Sequence, residues 1–247
     1  MRLISLGVAF VLAIVLPSSL HAQWSPSATV NLGMGYGQMA LSQAALNGAR
    51  QLSKSSEKSF DRPARPKPIE PKFTPTFKAD PKVTNTVNHR FIRFYGGEDP
   101  KNQQVMAQEV ESGTYHNHFR GLMRRLGLEP RLNDLLEVST ARYVILWEII
   151  HGREASVQEA RAVRSQLQAQ FADDFWMKRM KDAEKQELAE TFVLHVANAD
   201  LAHSELRRRD DKPLLANYRA GVQKHLVPDG PRLDRLTITD AGFVRRQ

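Results

Sequence analysis

Apolar residues recur at helical spacing between residues 80 and 227. Asp80 and Asp99 each precede a proline, a combination typical of the capping residue and the first residue of a helix. The helix that begins near Asn133 is apolar on nearly every side, so we expect the other helices to enclose it. Because the connections between periodic segments are short, the pattern predicts a compact all-α bundle of about five to seven helices.

Other residues in this region mark where individual helices begin and end. The tripeptide Ser-Gly-Thr at 112–114 predicts a break within the second helical segment, and Gly127 and Gly152 are predicted C-terminal caps. Ser156 opens the sequence Ser-Val-Gln-Glu, which has the form of a capping box. Asp182 is the predicted N-cap of the helix that follows.

The residues of the enclosed helix differ in their expected exposure. Trp147 belongs to its apolar surface and is a predicted core residue. Glu137, Glu148 and His151 fall on one strip of the same helix. Because this strip carries charge, we expect it to be a partly wet edge of the bundle.

Residues 228–247 follow the last predicted helix and begin with a Pro/Gly loop. Leu236 and Ile238 then alternate with polar residues, and Phe243 continues the apolar pattern. This alternation predicts an extended tail that packs on or near the bundle. No run of several strands is present, so no sheet of any size is expected.

Residues 1–22 have the pattern of a signal peptide. Arg2 precedes an uncharged apolar run at 3–16, and small and polar residues follow up to Ala22. A helix of fourteen residues is only about 21 Å long, shorter than the roughly 30 Å hydrocarbon core of a bilayer. This length favours a cleaved signal over a membrane anchor. We therefore expect cleavage before Gln23 and an exported protein, periplasmic or secreted, with no transmembrane segment in the mature chain.

Residues 23–79 separate the signal from the helices and lack a sustained apolar period. Prolines fix the backbone and favour extended geometry in the residues before them. The segment is therefore a predicted flexible, basic, proline-rich spacer. Ile69, Phe73 and Phe77 are the apolar residues in it that could dock on the domain that follows. The prolines of this segment are concentrated near its end, at Pro63, Pro66, Pro68, Pro71 and Pro75. Pro81 continues the series and begins the first helix.

The formal net charge of +8 is unevenly distributed along the chain. Residues 50–93 contain eleven basic and four acidic residues, whereas residues 94–247 contain twenty-three of each. A neutral helical region argues against a domain that binds specific nucleic acid sequences. The basic spacer leaves an anionic surface as a possible partner, although the spacer charge is equally explained as keeping a tether soluble and extended.

The chain contains no cysteine. This absence excludes disulfides, thiolate metal ligands, a cysteine nucleophile and a lipidated cysteine. A domain of about 150 residues buries enough apolar surface to fold without such links.

Two acid–histidine pairs raise the hypothesis of a di-metal carboxylate bundle. Glu148 and His151 match the Glu-x-x-His pattern of such sites, and Asp200 and His203 are a near match. With eight histidines and 27 acidic residues in the chain, roughly one such pair is expected by chance. No helix clearly supplies the bridging glutamates, so we predict no metal ligands.

The remaining histidines have simpler explanations. His116 and His118 are two positions apart, and on a helix their side chains diverge, which favours polar surface over a metal site. His195 lies on an apolar face, where a neutral, hydrogen-bonded core histidine is the usual arrangement.

Two further motifs are too incomplete to indicate an activity. Glu111 is followed by Gly-Leu-Met, faintly like lytic transglycosylases, but the spacing is short and Arg124 stands where glutamine is expected. Gly33, Gly35 and Gly37 lack the strand and helix that a phosphate-binding loop requires. We predict no catalytic and no cofactor-binding residues.

Several short sequence pieces together resemble a family of uncharacterised, exported bacterial helical proteins. The resemblance covers roughly residues 121–243, and it implies a signal peptide, a variable spacer and one helical domain, without an activity or functional residues. The pieces are Leu126-Gly-Leu128, Asn133-Asp134, Tyr143–Trp147, Ala162–Leu167, Lys185–Glu190 and Leu236–Phe243.

The sequence therefore predicts four parts: a signal peptide at 1–22, a spacer at 23–79, a helical domain at 80–227 and a tail at 228–247. The expected function is that of a non-enzymatic interaction or accessory module of the cell envelope. An envelope hydrolase without a local motif and a metal-binding bundle are the alternatives.

Overall fold

The computed structural model describes residues 72–227 and 231–246. The predicted signal peptide and most of the predicted spacer lie outside the described residues. Within the described ranges the chain forms an all-α bundle, which confirms the predicted fold class. Its seven helices are α1 Pro81–Gly96, α2 Pro100–Glu111, α3 Thr114–Arg125, α4 Leu135–His151, α5 Val157–Asp173, α6 Asp182–Arg208 and α7 Lys212–Leu226. Two 3₁₀ turns, Met177–Arg179 and Leu233–Arg235, and two strands, β1 Leu236–Thr239 and β2 Gly242–Arg245, complete it.

The predicted helix starts are formed by side-chain caps. The carboxylates of Asp80 and Asp99 accept hydrogen bonds from backbone N–H groups at the first turns of α1 and α2, each at 2.9 Å. Ser156 and Glu159 form the reciprocal capping box, with bonds of 3.1 and 2.7 Å between side chain and backbone. These short motifs hold the otherwise unpaired N–H groups that every helix start exposes.

The helix ends depend on left-handed backbone that favours glycine. Gly113 has φ +74° and separates α2 from α3, as predicted, and Gly152 has φ +65° at the end of α4. The predicted cap at Asp182 is wrong by one residue. Asp182 is already the first residue of α6, and Lys181 is the N-cap, its N–H bonded to the Glu184 carboxylate at 2.7 Å.

Helix α4 lies at the centre of the core, as its apolar sequence predicted. It packs against α3, α5, α6 and α7, and the side chain of Trp147 is almost wholly enclosed. Because nearly every face of α4 meets a neighbour, its apolar residues are removed from water on all sides, and this burial favours folding.

The last residues of the predicted spacer also pack on the bundle, and we call residues 72–79 the strap. Phe77 is buried, and its N–H bonds to the carbonyl of Asn133 at 3.1 Å. The carbonyl of Pro75 accepts a hydrogen bond from Leu135 N–H at 2.9 Å. At the end of the strap, the buried amide of Gln186 bonds to both the N–H and the carbonyl of Asp80.

The predicted extended tail is a hairpin that covers one side of α4 and α5. Leu236 pairs with Arg245 and Thr239 with Gly242 in antiparallel register. The carbonyl of Leu236 accepts the indole N–H of Trp147 at 3.0 Å. The hairpin is therefore bonded directly to the centre of the core.

Candidate functional site

Glu137 is buried in the bundle, which corrects the expectation that it lies on a wet strip. Only 1% of the residue is exposed, and its carboxylate accepts a hydrogen bond from Nε of Arg164 in α5 at 2.6 Å. Helix α5 covers this part of α4, and Arg164 supplies the counter-charge that makes the burial possible. The pair joins two helices.

Glu148 is likewise buried and carries out a structural role. Its two oxygens accept hydrogen bonds from the Arg125 guanidinium of α3, at 3.0 and 2.5 Å. The N–H of Ala155, in the connection to α5, bonds to the same carboxylate at 2.8 Å. The expected wet strip is wrong here too, because α3 and the α4–α5 connection cover it.

His151, the partner of Glu148 in the metal hypothesis, is engaged elsewhere. Its Nε2 lies 2.9 Å from the carbonyl of Leu233, and its Nδ1 lies 3.1 Å from the Arg246 guanidinium. Burial lowers the pKa of His151, which favours the neutral ring. The ring therefore connects the end of α4 to the C-terminal hairpin region.

Asp200 and His203, the second pair of the metal hypothesis, are engaged separately. Asp200 is bonded to His118 of α3, with 2.9 Å between Oδ2 and Nε2, so His118 is part of a helix–helix contact. His203 is buried, and no protein group bonds its Nε2. Burial, with the nearby charge of Arg219, lowers the pKa of His203 to about 4. Among the residues that the structure describes, no three His, Cys, Asp or Glu side chains are placed to hold a metal ion.

The other candidates occupy ordinary positions. His195 lies 3.1 Å from the hydroxyl of Tyr95 and against the ring of Phe91, and burial lowers its pKa to about 4. His116 is half-buried, and burial lowers its pKa as well. Glu111 is exposed at the end of α2. Gly33, Gly35 and Gly37 lie outside the described residues.

A buried arginine in α4 escaped the sequence analysis. Arg142 donates a hydrogen bond to the carbonyl of Leu226 at 2.8 Å, and its guanidinium lies 4.2 Å from the ring centre of Phe192. Leu226 is the last residue of α7, so the cation faces the negative end of that helix. Arg142 therefore fastens α7 to the centre of the bundle.

The connection between α5 and α6 presents the most exposed aromatic surface of the described chain. Phe175 is 54% exposed and Trp176 is 36% exposed, and the two rings meet edge to face with 5.2 Å between centres. The guanidinium of Arg179 lies 3.6 Å from the ring centre of Phe175. We call residues 174–181 the aromatic loop. The signal in the sequence is a Phe-Trp pair outside the helical period, followed by three cations.

The aromatic loop is held by its own hydrogen bonds. Oδ1 of Asp174 accepts from the N–H groups of Trp176 and Met177, at 2.7 and 2.9 Å. The carbonyl of Trp176 accepts from the N–H of Met180 at 3.0 Å. These bonds fix the backbone of the loop, and both large rings remain partly exposed.

The strap contacts the residues that flank the aromatic loop on both sides. Phe73 packs edge to face on Phe171, in the last turn of α5, with 5.4 Å between ring centres. The N–H of Lys78 bonds to the carboxylate of Asp182 at the start of α6, at 3.1 Å. The spacer therefore joins the bundle at the end that carries the aromatic loop.

A family model described as a family of unknown function (DUF6683) matches residues 3–246. The chain belongs to this family. The resemblance to an uncharacterised family is thereby confirmed, and the match includes the spacer as well as the bundle. No curated protein and no solved structure matches the chain.

The bundle also has an open groove of about 590 Å³ between α7 and the residues before β1. Arg219, Lys224 and Arg232 give it a basic lining, with Gln223 and Asp234. Arg232 is already bonded to Asp234 at 2.9 and 2.6 Å. The guanidinium of Arg219 lies against Gly152 at the end of α4, where it balances the negative end of the helix.

None of the described helices combines the length and the apolar character that crossing a membrane requires.

Proposed function

We propose that the protein is an exported, non-enzymatic interaction module of the cell envelope, in which the bundle anchors a basic spacer that binds anionic surfaces. The observation that carries this proposal is the strap. Phe77 is buried in the core, its N–H bonds to the Asn133 carbonyl, and the Pro75 carbonyl accepts from the N–H of Leu135 at the start of α4. The C-terminal end of the spacer is thus attached to the core of the bundle, as expected if the spacer acts as a tether.

The pairing of the polar side chains supports a non-enzymatic role. Glu137, Glu148 and Asp200 each bond to a basic side chain of another helix. A carboxylate that is paired with a basic side chain inside the fold is poorly placed to exchange a proton with a substrate. These residues are used to join helices to one another.

The charge of the spacer supports an anionic partner. Between residues 50 and 78 the chain carries eight basic and three acidic residues, while residues 94–247 are balanced. Cations on an extended chain can each approach a phosphate or sulfate without desolvating a folded surface. The family model also spans the spacer together with the bundle.

The apolar run at 3–16, with one preceding cation and small residues up to Ala22, supports export. A periplasmic or secreted location would place the spacer among anionic lipid head groups and wall polymers. N-terminal sequencing of the exported protein should begin within about two residues of Gln23.

The spacer is tested by neutralising its charge in the full mature chain. We expect Arg62→Gln, Arg65→Gln and Lys67→Gln together to weaken binding to immobilised heparin, so that the protein elutes at lower salt. The matched control replaces Lys101, Arg124 and Lys212, three exposed cations of the bundle, with glutamine. An equal loss of heparin binding in the two triple variants would contradict the proposal, because cations of the bundle would then contribute as much as those of the spacer.

A further inference from the structure

We propose that the aromatic loop inserts Phe175 and Trp176 into the head-group region of an anionic lipid bilayer. This inference rests on the proposed function, because the spacer supplies the attraction that brings the bundle to the surface. The partner is a bilayer of anionic phospholipid, and the loop is its apolar contact point.

The two rings are suited to this environment. Phe175 is more than half exposed, and Trp176 presents an apolar ring with an indole N–H that can remain in the wet head-group layer. Arg179 lies over the Phe175 ring, and Lys181 follows with a long side chain of the kind that can extend from an apolar layer to lipid phosphates.

The loop is already in a fixed conformation. Asp174 bonds two successive N–H groups of the loop, and Met180 N–H closes it on the carbonyl of Trp176. Insertion therefore requires little ordering of the backbone, and most of the free energy gained by burying the rings contributes to binding.

The spacer and the loop have different roles at the surface, because only the spacer carries a net positive charge. Lys178, Arg179 and Lys181 are balanced by Asp173, Asp174 and Asp182, so the loop region has no net attraction for an anionic surface. The spacer carries the excess of positive charge, and the strap delivers it to the same end of the bundle through Phe73 and Lys78. Electrostatic attraction and apolar insertion are each weak alone and become strong when they act together.

The size of the aromatic surface favours a bilayer over a folded protein. A stable protein interface buries about 800 Å² on each partner, which two adjacent rings do not provide. A bilayer requires only that apolar side chains reach the interface beside cations.

The test uses the full mature chain and vesicles of equal parts phosphatidylglycerol and phosphatidylethanolamine. We expect Phe175→Ser with Trp176→Ser to lower vesicle affinity about tenfold, because each ring is already partly covered and gains only part of the free energy of full burial. Heparin has no apolar layer, so the heparin elution of this double variant should not change. The spacer triple variant should lose affinity for both probes.

The matched control is Phe94→Ser, since Phe94 is 38% exposed but contacts His195 near the middle of α6, about 20 Å along that helix from the loop. It should bind vesicles as the unmodified chain does. In a Trp24→Phe background, the emission of Trp176 should shift to shorter wavelength when vesicles are added, and Trp147 is enclosed and should not respond.

Vesicle affinity that is unchanged by the double loop substitution, or Trp176 emission that stays unchanged on vesicles, would overturn the insertion and leave the spacer proposal standing. Loss of heparin binding by the loop variant at an unchanged melting temperature would also overturn it, because the loop would then act through charge. Failure of the spacer triple variant to change either probe would overturn the proposed function instead.

Discussion

Helix α4 and the aromatic loop use charged and apolar residues in opposite ways. In α4, Glu137, Arg142 and Glu148 are buried, and each bonds to a different neighbouring segment. In the aromatic loop, Phe175 and Trp176 are exposed, and the hydrogen bonds of the loop are made largely within itself. The polar residues of α4 thus hold the bundle together, whereas Phe175 and Trp176 of the loop keep part of their apolar surface exposed.

The difference shows where to search for function in a bundle of this kind. Charged residues on a helix attract attention as possible catalysts, yet here their partners are basic side chains and backbone carbonyls of the same chain. Phe175 and Trp176 contact each other and Arg179, yet they keep the most exposed aromatic surface of the described residues, which makes the loop a better candidate for an external contact than α4.

The largest expected change in stability is at Trp147, and Trp176 provides the comparison. Trp147→Ala should lower the free energy of unfolding by about 3–5 kcal/mol, because it leaves a cavity and frees the carbonyl of Leu236. Trp176→Ala should lower it by less, about 1–2 kcal/mol, because this residue is 36% exposed and its ring loses only part of a full burial. Denaturant melts measure both, and similar losses would mean that the loop belongs to the core.

A smaller effect is expected at Glu137. Glu137→Ala should cost about 1–3 kcal/mol, since it leaves Arg164 without its partner while part of that guanidinium still reaches water. The control is Glu187→Ala, which removes the exposed pair with Arg90 and should cost less than about 1 kcal/mol. If the two substitutions had the same effect in denaturant melts, Glu137 would be exposed in solution, as first expected from the sequence.

Acid should destabilise the fold through its interior, where two histidines are buried, and not through the aromatic loop, which contains no histidine. His195 and His203 have pKa values of about 4 in the fold against 6.5 for free histidine, so the unfolded chain binds more protons between these limits. The free energy of unfolding should therefore fall as the pH is lowered from 6.5 to 4, by up to about 1.4 kcal/mol per pH unit for each ring.

His203→Gln should flatten this pH dependence, whereas His89→Gln, at an exposed position of α1, should leave it unchanged. Thermal melts between pH 4 and 7 provide the comparison. A slope in His203→Gln equal to that of the unmodified protein would show that the pKa of this ring does not differ between the folded and the unfolded chain.

The smallest expected effect is that of metal removal. Protein never exposed to chelator should contain well below one equivalent of iron, manganese or zinc, and EDTA should leave the melting temperature unchanged, because Glu148 and His151 have protein partners. Stoichiometric metal that disappears in His151→Ala or His203→Ala would contradict this prediction and restore the metal-binding alternative.

Local signals in the sequence were sufficient for much of the fold. Asp80, Asp99 and Ser156 act within three residues of their own position, so their capping could be predicted without knowing any neighbour. Gly113 and Gly152 likewise need only their own backbone angles.

The contacts of α4 could not be predicted in the same way. The partners of Glu137 and Glu148 are 27 and 23 residues away, and a helix that is apolar all round gives no indication of which neighbour covers which face. The strap could be predicted in part, because Phe73 and Phe77 are apolar residues in a polar segment. The positions at which they dock could not, because these depend on how α4 and α5 pack.

The arrangement of the strap has a mechanical consequence. Its backbone bonds to residues beside the start of α4, and its end is bonded to Asp182 and Gln186 in the first turns of α6. A pulling force on the spacer would therefore be shared by the most enclosed helix and the longest helix, rather than peeling α1 away from the edge. If one end of the protein is fixed to a surface while its surroundings move, this attachment resists the load with several bonds at once.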